Sequence, residues 1–153
     1  MCLLALSSPV AAGQLEDAKD AESRGDWATA IKLLRPLAEE GNAVAQGHLG
    51  MFYDIGRGVP MNYAEAAKWL QKSAAQGFYG TFLNLGHVYL HGNGVPIDFV
   101  QAYMWYRLAS NSASTPKSLF VRQKADSYLA GLTSRMTQEQ VAEAERRARD
   151  WKP

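Results

Sequence analysis

The chain has 153 residues, 47 % of them apolar, and 16 Lys and Arg against 15 Asp and Glu give a formal charge of +1. This composition suits one compact domain or one short repeat array and is too apolar for a disordered chain. Near-neutral charge excludes the global basic field that holds nucleic acid or an anionic membrane surface, and a single cysteine, Cys2, excludes an internal disulfide framework.

The chain opens with MCLLALSSPVAA, an uncharged apolar run ending in small side chains. It reads as the core and cleavage region of a secretory signal, with Val10 and Ala12 as the small residues before the cut, although the basic lead is missing. Residues 1–13 are therefore expected to be a truncated signal-peptide remnant, which makes the protein periplasmic or secreted. The alternative is a cytoplasmic protein with a helical or disordered N-terminus. No other stretch approaches the ~20 apolar residues that a membrane span requires. Charge is uneven beyond this point: residues 14–55 carry −4 and residues 117–153 carry +3.

Residues 14–40 predict a helix pair joined by a short turn at RGDW, with Asp26, Ala30, Leu33 and Leu37 at helical spacing. Residues 41–76 repeat that layout at greater length. Leu49, Phe52 and Tyr53 form one buried stripe, Gly56 ends the helix in a left-handed cap, and Gly58 supports the reversal. Val59 is held extended by Pro60, and Asn62 with Glu65 three residues on forms a capping box for a second helix carrying Ala66, Trp69 and Leu70. Residues 77–112 repeat the unit with a period of 36: ten positions agree, Gly50/Gly86, Tyr53/Tyr89, Pro60/Pro96, Ala66/Ala102 and Trp69/Trp105 among them, where chance gives roughly two. Asp98 and Gln101 stand where Asn62 and Glu65 stand. A fixed period of this size is the mark of stacked helical units. Gly50 and Gly86 inside helices each cost about 0.5–1 kcal/mol relative to alanine, a cost that fits close backbone approach to Ala66 and Ala102.

Residues 113–153 predict two capping helices. Thr115 and Pro116 start one near 116–131. Thr137 and Gln140 start the last as a capping box, with Val141, Ala144, Ala148 and Trp151 as its buried stripe. Glu139 near its start and Arg146, Arg147 and Arg149 near its end suit the helix dipole.

The run Ala45, Leu49-Gly50, Tyr53, Gly56, Gly58-Val59, then Ala66 and Trp69 resembles the Sel1-like repeat, a relative of the tetratricopeptide repeat. The second unit departs from it at Thr81, where the family favours alanine, and at Ser110, Asn111 and Ser112. Residues 14–40 look like a degenerate unit closer to the tetratricopeptide form. The resemblance implies an all-α, right-handed α-solenoid of antiparallel helix pairs, about seven to eight helices in all. It also implies a non-enzymatic adaptor that binds a protein helix or peptide. By analogy with tetratricopeptide geometry, the concave face would present Val44, Gly47, Met51, Asp54 and Ile55, then Gly80, Leu83, His87, Leu90 and His91. The competing expectation is that the chain's own C-terminal helix fills this groove.

No catalytic constellation stands out. Ser114 and Lys117 match a penicillin-enzyme nucleophile motif without its companion motifs. The Gly-x-Gly pairs follow helices and lack the Lys-Ser/Thr of a phosphate loop. His87 and His91 are four residues apart, as zinc ligands can be, with Asp54 as a conceivable third, but the Glu that should follow the first histidine is Val88. No cofactor or resident metal is expected. His48 reads as a helix-surface or interhelix residue, and Trp69 and Trp105 as packing. A small cell-envelope enzyme or inhibitor with a histidine-containing site, and a purely structural oligomer subunit, are the alternative functions.

Overall fold

A computed structural model describes residues 9–112, 115 and 118–153. Among them are eight α-helices and no strand: α1 (Pro9–Ser23), α2 (Trp27–Glu39), α3 (Ala43–Ile55), α4 (Tyr63–Ala75), α5 (Phe82–His91), α6 (Phe99–Ser112), α7 (Leu119–Thr133) and α8 (Gln138–Asp150). The helices form an α-solenoid in which α1 packs on α2, α3 on α4 and α5 on α6, while α2 joins the first unit to α3.

Local chemistry sets the boundaries. Asp26, Asn42, Asn62 and Thr137 each accept a backbone N–H from the third residue on, at the starts of α2, α3, α4 and α8. Asp98 does the same for the amide of Gln101 as α6 begins. Gly56 and Gly92 end α3 and α5 in the left-handed conformation, so both repeated turns are built by the same backbone device. The reciprocal capping box forms at Thr137–Gln140. At Asn62 only half of it forms, because the Glu65 carboxylate turns forward to accept from Trp69 Nε1 at 3.1 Å and Lys68 Nζ at 3.2 Å.

The helical glycines mark where paired helices nearly touch. A Cβ added to Gly50 would meet Leu70 Cγ at 2.8 Å, and one added to Gly86 would overlap the ring of Tyr106. Leu70 and Tyr106 are equivalent residues 36 apart, so the contact belongs to the repeat. The expected partners were Ala66 and Ala102. Both are fully buried, but the side chain that crowds each glycine comes from one turn further along, because a long side chain reaches back along its helix. Gly47, expected to face a groove, instead faces the next unit: its missing Cβ makes room for Thr81, Phe78 and Ser73. Gly80 lies in a 3₁₀ turn, Tyr79–Thr81, ahead of α5.

Adjacent units are tied by a recurring bond. Arg35 donates to the Tyr53 hydroxyl, and Gln71, 36 residues on, donates to the Tyr89 hydroxyl, each at 3.0 Å. The core divides in two: α1, α2 and α3 bury Ala18, Leu34, Leu37 and Leu49 with Trp69, whereas Leu70, Phe82, Leu85 and Tyr106 join Leu129, Leu132 and Ala144 of the C-terminal helices.

The C-terminal helices differ from expectation in detail. α7 starts at Leu119 after a turn in which Ser118 bonds to Thr115; Pro116 and the Ser114/Lys117 motif lie outside the described residues. α7 and α8 both make their main contacts with α6, on which Glu145 of α8 accepts from Tyr103 Oη at 2.8 Å and from Arg107 Nη2 at 2.6 Å. Trp151 packs edge-on against Phe82 and Trp105. Most of the expected leader, residues 1–8, is outside the described residues, while residues 9–13 belong to α1, with Ala11 packed against the first core.

Gly86→Ala should lower stability by about 1–3 kcal/mol, because the tyrosine ring behind it must move. Gly13→Ala, whose added Cβ meets nothing within 4 Å, should be neutral or slightly stabilising. Thermal unfolding followed by circular dichroism checks the pair, and equal melting temperatures would contradict the close approach.

Candidate functional site: the face of α1, α3, α5 and α7

The first helices of successive units stand side by side and enclose two clefts. One, of about 440 Å³, lies between α1 and α3, bounded by Lys19, Glu22 and Trp27 on one side and Met51, Phe52, Ile55 and Arg57 on the other. The second, of about 260 Å³, lies between α5 and α7, lined by Leu90, Ser127, Tyr128, Gly131, Leu132 and Arg135.

Of the residues expected on a binding face, Met51 and Ile55 line the first cleft and Ile55 is 53 % exposed. Asp54 is half-buried and makes no hydrogen bond or ion pair among the described residues; burial raises its pKa above the ordinary carboxylate value. Val44 is half-buried on α3. Leu83 and Leu90 are partly buried against the second core, and Leu90 also reaches the second cleft. His91 is exposed and stacks on His87, their rings 6.0 Å apart.

His87 is the most confined of the set. Tyr128 of α7 lies edge-on to it at 4.5 Å and Tyr106 of α6 at 5.7 Å. Burial, with the nearby charges of His91 and Lys124, lowers its pKa. Thus the C-terminal region covers part of the α5 face through one tyrosine and leaves the α1–α3 cleft open. His48 bridges helices as expected, its Nδ1 2.7 Å from Glu22 Oε1 of α1.

Neither His87 nor His91 hydrogen-bonds a carboxylate or hydroxyl among the described residues, so no base is aligned on a nucleophile there. No three His, Cys, Asp or Glu side chains among the described residues are placed to share a metal ion, so Asp54 does not complete a site with the two histidines. What the face offers is apolar clefts rimmed by charge, the chemistry of a recognition surface.

Sequence reasoning missed the contributions of α1 and α7. On α7, the spacing of Lys124, Tyr128, Gly131 and Arg135 does place them along one helical face. Nothing in the sequence said that this face would turn toward α5, since Lys and Arg at such spacing usually mark solvent.

The Sel1 repeat family model matches residues 43–78 and 83–114, the two units that each contain one of the repeated glycine turns. Among solved structures, the chain is similar to a protective antigen of uropathogenic Escherichia coli with an SLR fold, at 27 % identity and TM-score 0.75, over 90 % of this chain and 29 % of that one. It is also similar to a Sel1 repeat protein from Oxalobacter formigenes, at 27 % identity and TM-score 0.67, over 88 % of this chain and 54 % of that one. The chain thus spans under a third of one neighbour and about half of the other. No curated protein matches it significantly. No helix among the described residues is long and apolar enough to cross a membrane.

His87 should titrate below the usual imidazole value of about 6.5. Because folding depresses this pKa, the unfolded chain takes up the proton first. The stabilising contribution of neutral His87 is therefore full above about pH 6.5 and is lost as pH falls through the folded-state value. Tyr128→Ala should move the titration upward by exposing the ring. Imidazole resonances followed by NMR against pH check both; a midpoint unaffected by the substitution would contradict the burial of His87 under Tyr128.

Proposed function

As a Sel1-repeat protein, this chain works, we propose, as a non-enzymatic adaptor that holds a helix or peptide of a partner protein on the face formed by α1, α3, α5 and α7. The observation that carries this reading is the open apolar cleft between α1 and α3, where exposed Ile55 and partly buried Met51 stand beside charged Lys19, Glu22 and Arg57. An exposed apolar strip with a charged rim suits an amphipathic segment, and methionine adapts to irregular partners. Sel1 repeats generally serve as protein-interaction scaffolds, which agrees with that chemistry. Val44, Met51, Asp54, Ile55, Leu83, His87, Leu90 and His91 are the proposed contact residues, with His87 reached only from the side that Tyr128 leaves free.

We further propose export to the periplasm or beyond, on the strength of the apolar start ending in small residues. The similarity to a protective antigen supports the same location. Attaching residues 1–13 to a reporter active only outside the cytoplasm tests this separately: reporter activity is expected, and its absence would contradict export.

A photo-crosslinking amino acid placed at Ile55 or Met51 in cells should yield an adduct of one discrete mass, whereas the same group at Ala75, exposed on α4, should not. Met51→Asp combined with Ile55→Asp should abolish the adduct formed from a third position, Asp54. Adducts that form equally at Ala75, or that survive the double substitution in a folded protein, would contradict the assignment of the face.

A further inference from the structure

We propose that the cleft between α5 and α7 seats an apolar side chain from an acidic segment of the partner, with Arg135 and Lys124 meeting the carboxylates beside it. The inference rests on the adaptor reading and names the chemistry of the segment that this half of the face takes.

Charge is the first support. The cleft has an apolar floor of Leu90, Leu132 and the Tyr128 ring, Arg135 among its lining residues, and no carboxylate. Lys124 stands one turn before Tyr128, close enough for its charge to act on His87. Neither Lys124 nor Arg135 has an ion-pair partner among the described residues; each lies over a ring, Lys124 over Phe120 at 4.7 Å and Arg135 over Phe99 at 4.4 Å. Three other cations that contact α8 or lie on it are already engaged: Arg107 with Glu145, and Arg146 and Arg147 with Glu143. The acid on α7 itself, Asp126, is held by the Ser110 hydroxyl at 2.7 Å. A guanidinium over a ring makes no hydrogen bond to it, which leaves its N–H donors for a carboxylate.

Gly131 is the second support. It sits in the last turn of α7 (Leu119–Thr133). Gly47, Gly50 and Gly86 are each explained by a neighbour that a Cβ would strike, but a Cβ on Gly131 meets nothing within 4 Å. No contact within the described chain requires this glycine, and it lines the cleft. The space beside it is open to an arriving segment. The cleft, at about 260 Å³, is smaller than the ~300–1,000 Å³ of small-molecule pockets and suits a single Leu- or Phe-sized anchor.

The test uses the full chain and three heptapeptides, each with a central leucine flanked by glutamates, glutamines or lysines, titrated by backbone NMR. The glutamate peptide should shift Leu90, Tyr128 and Leu132 and bind at least about tenfold more tightly than the glutamine peptide, with the difference shrinking in high salt. Arg135→Glu and Gly131→Leu should each weaken it about tenfold or more, while Ala75→Asp, exposed on α4, leaves it within about threefold. Gly131→Leu should melt no lower than the parent, so that lost binding is not lost folding. Equal affinity for the three peptides, indifference to Gly131→Leu, or no shift up to about 10 mM peptide overturns the proposal. A dimer by sedimentation that Gly131→Leu dissolves also overturns it, since the occupant is then a second copy. If an adduct still forms at Ile55 in any of these cases, the adaptor reading stands and this inference alone fails; if neither cleft engages a polypeptide, both fail.

Discussion

Two helices can pair closely only where something small gives way, and here a glycine does so once in each repeat. Gly50 admits Leu70 and Gly86 admits Tyr106, so the second helix of each unit settles deep against the first. Every later feature follows from that approach. It sets the pairing that Gly56 and Gly92 close with left-handed caps, buries Ala66 and Ala102 completely, and fixes which side of the first helix is left for the next unit. The residue inserted at each site also decides the character of the surroundings. Leucine fills the first site, whereas tyrosine in the second begins an aromatic cluster, with the Tyr106 and Tyr128 rings stacked at 4.8 Å.

The joints between units share one bond and differ in the rest. Arg35 to Tyr53 and Gln71 to Tyr89 recur, but the second and third helix pairs meet differently on their two flanks. Toward the N-terminus, buried Gln46 donates to the Ala38 carbonyl and accepts from Gln76, a polar joint with its partners satisfied. The equivalent position in the next unit is Phe82, which packs on Trp105 and Trp151. The change shows at the repeated tryptophan: Trp69 Nε1 donates to Glu65, while Trp105 Nε1 and the Tyr106 hydroxyl are buried without partners among the described residues. The C-terminal helices gain an apolar surface to dock on, and two unmade hydrogen bonds offset part of that gain.

Much of this was legible in the sequence because it is written in backbone chemistry. The period of 36, the glycine turns, the Asn62 and Thr137 caps and the buried stripes depend on local rules, and the structure follows them. The Sel1 resemblance rested on the same residues. Legibility ended where side-chain reach and tertiary placement took over. Spacing pointed to Ala66 opposite Gly50 because small residues often face each other, yet Leu70 reaches back to fill the gap. The same limit applied to the face. The analogy with tetratricopeptide geometry pointed to Met51 and Ile55, which line the first cleft, but it carries no information on how α7 lies across His87. Arg135 and Lys124 read as ordinary surface cations until their lack of acidic partners could be seen.

The central claim is that partner binding belongs to the first helix of each unit and not to the second. Hydrogen exchange of the chain, alone and with its crosslink-identified partner, tests this most directly. The account predicts added protection along α1, α3, α5 and α7 with α2, α4 and α6 unchanged. Protection gained chiefly on α2, α4 and α6 would contradict it.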